Sequence, residues 1–255
     1  TIAVDGDGAH VTLIPEQDFR EGFNLAGDDA LLRVVREHVV DPIRHKLRAG
    51  MGERADYALD HLLGGNRGDM KAVELVRRQQ FAAQIASPIA LGLLGEYESY
   101  DPLVPTPTVL RRFGDFFTAD NMPTADLLNY FNAELAKLGA KDFKLQDMEF
   151  EISLTDIDRT IRSVFLEMLQ ALGEIVYRYR CDILILSGRT SRLPAVRAIL
   201  EESAALPSHR VLPLHTFRVG PWYPFRDFRA TVGDPKPPAA VGALLCLLGT
   251  GPLQN

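Results

Sequence analysis

The stretch CDILILSGRTSRLPAVRAIL runs from Cys181 to Leu200. Its first part, Asp182-Ile183-Leu184-Ile185-Leu186, is a short aliphatic run without polar alternation. Such a run predicts a strand buried on both faces, as inside a parallel sheet. Ser187 to Arg192 is small and polar, and Pro194 then stands at the first position of a helix running on to Glu202. Strand, tight polar loop and helix N-terminus together aim backbone N–H groups and a positive dipole end at the carboxyl edge of a sheet, where α/β proteins bind anionic ligands. An ordinary strand-to-helix connection accounts for the same pattern equally well.

At 255 residues the chain is long enough to bury a full core, as one large domain or two smaller ones. Its formal charge of −6 argues against a nucleic-acid partner. The longest apolar runs, Ile85 to Leu94 and Ala239 to Leu248, fall short of the ~20 residues a membrane span requires. No signal peptide is visible, so a cytoplasmic location is expected, with secretion left open. The first residue is Thr1, which is read as the start of a segment of a longer protein; a processed threonine nucleophile is the alternative. Cys181 and Cys246 sit in apolar stretches and are expected to be buried thiols.

From the N-terminus, Ile2 to Val4 and Val11 to Ile14 flank Asp5-Gly6-Asp7-Gly8 and predict a hairpin. A calcium loop is the weaker reading, because Ala9 replaces a ligand and His10 stands where a glycine is required. A degenerate phosphate loop is a second alternative. Asp28 is the expected cap of a helix striped by Leu31, Val34, Val35, Val39, Ile43 and Leu47, which Pro42 should kink or end. Asp69 is expected to cap a second helix, Met70 to Ile85, interrupted by Pro88. Arg77, Gln80 and Gln84 share one face of it. Thr124 to Leu138 is a well-signalled helix, and a long one follows, from Ser153 or Thr155 to about Arg180. The aromatic segment with Phe217, Trp222, Tyr223, Phe225 and Phe228 reads as packing, or, if exposed, as a partner surface. The six histidines show no metal spacing paired with cysteines; His38 and His45 lie seven apart and share a helix face. Asp156 and Asp158 mark a helix start, where carboxylates favour the dipole.

The order of these parts carries a resemblance. Leu25-Ala26-Gly27-Asp28-Asp29 opening a helix resembles the LGGxxF step of the actin/Hsp70-type ATPases. Leu186 to Pro194 is similar to their L-V-G-G-S-[ST]-R-I-P stretch, and Asp234-Pro235 followed by Ala240-Val241-Gly242-Ala243 is similar to their closing N-P-D-E-A-V-A-x-G-A. More narrowly, FREGFNLAGDD, LSGRTSRLP, WYPF and DPKPPAAVGA resemble the bacterial SrfB-type virulence-factor family. The resemblance implies an α/β fold: half of an actin-like (ribonuclease H-like) nucleotide-binding fold, with residues 1–30 and 151–255 as the lobe and 31–150 as an inserted, mostly helical subdomain. It implies ATP or ADP with Mg as ligand, on the adenosine side of a cleft.

Carried onto this chain, the implied contacts are Gly27, Asp28, Gly188, Arg189, Thr190, Ser191, Arg192 and Lys236. Glycine admits a purine or ribose close to the backbone, and arginine can stack on a base or hold a phosphate with two donors. Two positions depart from the pattern: Arg189 replaces a glycine, and Lys236 replaces an acidic residue. The glycine-rich hairpins that hold phosphate and Mg in these ATPases are expected before Thr1, in a missing N-terminal lobe that would be the first partner. No catalytic or metal-ligating residue is assigned, and hydrolysis by this chain alone is not expected. The alternative is a non-enzymatic interaction scaffold (a pseudo-ATPase) of the same fold with an unknown protein partner. An Arg189 side chain filling the adenine slot and an exposed Trp222 patch would favour it.

Overall fold

A computed structural model describes residues 2–6, 11–15, 17–23, 25–65, 70–105 and 107–250, with the backbone alone for 2–6, 11–15 and 248–250. The chain opens with β1 (Ile2–Gly6) and β2 (Val11–Pro15), paired antiparallel with Gly6 opposite Val11. This is the expected hairpin. Its turn, on which the calcium-loop and phosphate-loop readings rest, lies outside the described residues, as does the Asp69 cap.

One continuous helical rod then runs from Gly27 to Met51. It consists of α1 (Gly27–Val34), a π-helical segment (Val35–Val40) and α2 (Asp41–Met51). Pro42 neither ends nor breaks it. The Asp41 N–H reaches back to Arg36 O, a five-residue step, so Pro42 falls in the first turn of a fresh α-segment, where its missing N–H costs nothing. The same device recurs at Pro88. There α4 (Ala72–Phe81) passes through a π segment (Ala82–Ala86) into α5 (Ser87–Tyr97), and the Ser87 N–H bonds Ala82 O. At the rod's start the cap is Ala26 rather than Asp28. Asp29 reaches back to accept the Ala26 N–H at 2.8 Å, while Asp28 sits exposed in the first turn. Between the rods lies α3 (Arg54–Leu63).

A second antiparallel pair, β3 (Val109–Arg112) and β4 (Glu149–Ile152), brackets α6 (Ala125–Lys137). Ser153 caps α7 (Leu154–Arg178), its Oγ accepting the Asp156 N–H at 3.2 Å. β5 (Leu184–Leu186), α8 (Pro194–Ser203) and β6 (Val211–Pro213) form a strand–helix–strand crossover with a parallel register, Leu184 opposite Val211. The chain continues into α9 (Pro238–Thr250). The architecture is mixed α/β, with helical layers around three small open sheets of two strands each among the described residues.

A single hydrophobic cluster runs through the molecule from Ala30 to Val211, with Ile43, Ile89, Leu127, Phe150, Ile157 and Ile161 among its best buried members. β5 is half in it. Leu186 is buried, whereas Ile183 and Ile185 are 54% and 58% exposed, so the strand is covered on one face rather than both. Only β6 pairs with it among the described residues, and its outer face stays exposed among them. Cys181 and Cys246 are both exposed rather than buried. Cys181 lies in the turn that feeds this open strand, and Cys246 lies on α9 beside the exposed Leu245 and Leu247.

Candidate functional site

The loop after β5 is built around Gly188. Its φ of 84° and ψ of 162° lie in a region open essentially to glycine alone. From there the chain makes a 3₁₀ turn, Arg189–Arg192. Ser191 N–H and Oγ both donate to Gly188 O, at 3.1 and 2.7 Å, and Leu193 N–H donates to Thr190 O at 3.0 Å. The turn therefore holds its own shape and delivers Pro194 to the start of α8.

Two other segments meet this loop. Gly188 N–H and Ser187 Oγ both donate to Pro235 O, each at 3.2 Å. That anchors the 234–236 loop, whose own turn is made by Lys236 N–H donating to Asp234 Oδ1 at 3.0 Å. Gly27, the first residue of α1, packs on Thr190: a Cβ at Gly27 would stand 3.2 Å from Thr190 Cγ2. Gly27, Gly188 to Arg192 and the loop holding Lys236 thus converge, with Asp28 in the turn next to Gly27. A Cβ at Gly188 would meet nothing within 4 Å, so the space above that glycine is open.

The two arginines differ. Arg192 is tied to the C-terminal cap of α5 by an ion pair with Glu98, Nη2 to Oε2 at 2.6 Å. Arg189, next to Gly188, is exposed and makes no ion pair among the described residues. Beneath the loop, Tyr97 joins the layers. Its hydroxyl donates to Asp158 Oδ1 at 2.5 Å and accepts the Ala195 N–H, one of the open donors at the α8 N-terminus, at 3.0 Å. Burial, and then the hydrogen bond to Asp158, push the Tyr97 phenol far above its usual range, so it stays neutral. Asp158 also accepts from Arg162 Nε at 2.8 Å, so it serves this network as well as the helix dipole. His215 lies nearby. Its Nδ1 is buried without a hydrogen-bond partner among the described residues, and burial, with Arg192 and then Arg197 adding repulsion, lowers its pKa.

The face shared by Arg77, Gln80 and Gln84 packs between helices. Arg77 bonds Gln80 and Asp126 and lies over the Tyr130 ring, and Gln84 accepts the Thr124 N–H, so this face joins α4 to α6. His38 and His45 do share a face and line one cavity of about 510 Å³ with Glu149 and Glu151. His38 Nε2 lies 2.9 Å from Thr160 Oγ1, which donates to Glu37 Oε2 at 2.6 Å. Because the hydroxyl hydrogen is committed to Glu37, His38 Nε2 is the donor to Thr160 Oγ1. No group of His, Cys, Asp or Glu among the described residues could hold a metal ion. No described helix is long and apolar enough to cross a membrane.

Spacing alone does not find Tyr97, Glu98, His215 or the Pro235 carbonyl, because each meets the loop from a distant part of the chain. No curated protein and no solved structure matches this chain. The family model described as Virulence factor SrfB matches residues 1–255.

Proposed function

The chain belongs to the SrfB virulence-factor family, and within that family we propose that it is the adenosine-side lobe of an actin/Hsp70-like nucleotide cleft, with 31–150 as its inserted helical subdomain. The observation that supports this reading is the convergence of Gly27, Thr190 and Pro235 around the open backbone at Gly188. Each of the three segments resembles a different part of the ATPase pattern, and they meet at one place.

The residues present fit a nucleoside. An adenine ring can approach Gly188 with no Cβ in its path. The guanidinium of Arg189 offers a planar face to stack on it. Ser191 holds the turn rather than the ligand, since its hydroxyl is spent on Gly188 O. Lys236, exposed beside Pro235, supplies a positive charge toward the phosphate end of ATP or ADP. The Mg ion carried by such a nucleotide would screen phosphate charge, but the described residues offer it no ligand set. The proposal is therefore one of binding, and no hydrolytic step is assigned to this chain. Arg192–Glu98 and Tyr97–Ala195 connect the loop to α5, so a ligand that orders the loop would also order the helical layer.

Calorimetric titration of adenosine, AMP and ADP, with guanosine as control, tests the reading. Weak saturable binding is expected, with the three adenosine ligands within about tenfold of one another, because the contacts lie on the nucleoside. Gly188→Val should abolish it. A folded chain that gives no heat with any of the three would overturn the reading.

A further inference from the structure

Residues 217–233 form a loop held rigid while its aromatic side chains face solvent. Val219 N–H donates to Ala230 O at 2.9 Å, Val232 N–H donates to Phe217 O at 3.0 Å, and Arg218 and Thr231 form an antiparallel bridge. Asp227 staples the tip. Its carboxylate accepts from Arg229 N–H, Thr231 N–H and Thr231 Oγ1 at 2.8 to 2.9 Å, and Ala230 takes a left-handed φ of 58° to close the turn. Tyr223 is buried as the loop's own small core, with Trp222 and Phe225 against it at ring-centroid distances of 5.7 and 6.1 Å. Trp222 lies on the Gly220 backbone, where a Cβ would stand 2.9 Å from its Cδ1.

Outside that core the side chains point away from the molecule. Phe228 is 92% exposed and Trp222 61%, with Phe217 and Phe225 more than half exposed. Between them stand Arg218, Arg226 and Arg229, all exposed and none in an ion pair among the described residues; Arg229 lies over the Phe228 ring at 5.2 Å. The Asp227 carboxylate is already used by the turn; Arg229 helps keep it ionised from a distance, and neither Arg218 nor Arg226 forms an ion pair with it among the described residues. Rigid aromatic anchors ringed by arginine are the chemistry of an interface centre, and holding them in place beforehand lowers the entropy cost of binding.

We propose that this loop is a docking surface for an acidic polypeptide segment. Its carboxylates would pair with Arg218, Arg226 and Arg229 while its apolar side chains cover Trp222, Phe225 and Phe228. Charge selects this occupant. The whole chain carries −6, so an extended polyanion such as a lipid surface or a nucleic acid meets net repulsion. A short acidic segment senses only the charges within about 8–10 Å of it, where the arginines dominate. The inference is independent of nucleotide binding.

Trp222 is the only tryptophan in the chain, so its emission reports on this loop alone. The probes are a short peptide alternating glutamate and leucine, its lysine–leucine counterpart, and phosphatidylcholine vesicles containing phosphatidylserine. The expected result is a saturable blue shift with the glutamate peptide only, weakened by added salt, and about tenfold weaker binding by R218E/R226E/R229E. No shift with the glutamate peptide, a shift with vesicles alone, or binding indifferent to charge reversal in a variant with unchanged circular dichroism would each overturn the proposal. Should the triple variant not fold, the salt dependence of the unaltered chain decides: weakening supports docking by charge, and indifference overturns it.

Discussion

An alanine at Gly173 would ordinarily stabilise a helix by about 1 kcal/mol. In α7 it does the reverse. The added Cβ would lie 2.9 Å from the Ser203 backbone carbonyl carbon and would strike the Ser203 side chain, which is itself bonded to Ile199 O at 2.7 Å. Overpacking of a tight contact costs about 1–3 kcal/mol, which exceeds the propensity gain. Gly173→Ala is therefore expected to lower stability by about 1–2 kcal/mol in urea unfolding, and an unchanged or raised midpoint would contradict this packing. His38 gives a prediction in pH. Burial lowers its pKa from the model-peptide 6.5, against weaker opposite pulls from Glu37, Asp156 and Asp41. The unfolded chain therefore binds the proton more tightly, and stability is lost as pH falls below about 6.5. His215 acts in the same direction. His38→Gln should flatten part of this loss in unfolding curves between about pH 7.5 and 5.5, and a variant with the original slope would contradict it. Neither residue is legible as important from spacing. Gly173 falls within the apolar stripe of α7, but the stripe does not reveal that Ser203 stands opposite.

Elements were readable where local chemistry decides them. The run at 182–186 holds a strand, Leu184–Leu186, Pro194 opens a helix, and Ser153 caps α7. The prolines at 42 and 88 show where a local rule gives the right place and the wrong consequence. Each does interrupt the α-helical ladder, but a wide π turn just before it absorbs the missing N–H, and the rod continues. Burial of β5 on both faces failed for a non-local reason, since covering depends on what packs against a strand. The two faces give opposite expectations. Leu186→Ala should cost about 2–4 kcal/mol, because its side chain belongs to the core. Ile185→Thr keeps the β-branch on an exposed face and should stay within about 0.5 kcal/mol. Chemical denaturation of both variants checks this, and equal losses would show that the outer face is covered.

Across the whole molecule, the candidate site depends on pieces far apart in sequence. Gly27 reaches Thr190, Pro235 reaches Gly188, and Tyr97 reaches both Asp158 and Ala195. Composition and periodicity contain none of these meetings. Only the similarity of several short stretches to one ATPase pattern linked them, and it named Gly27, Gly188 to Arg192 and Lys236 while missing Tyr97, Glu98 and His215. The aromatic segment around Trp222, which its composition reads as packing or, if exposed, as a partner surface, turns most of its rings to solvent. The account's central claim is that adenosine binds where these loops meet. Mapping amide chemical-shift changes while adenosine is added to the isotopically labelled chain tests it most directly. The account predicts saturable shifts clustered at Gly27, Asp28, Gly188 to Arg192 and Lys236, spreading to Tyr97 and Ala195, and absent with guanosine. Shifts elsewhere, or none at saturating adenosine, would contradict it.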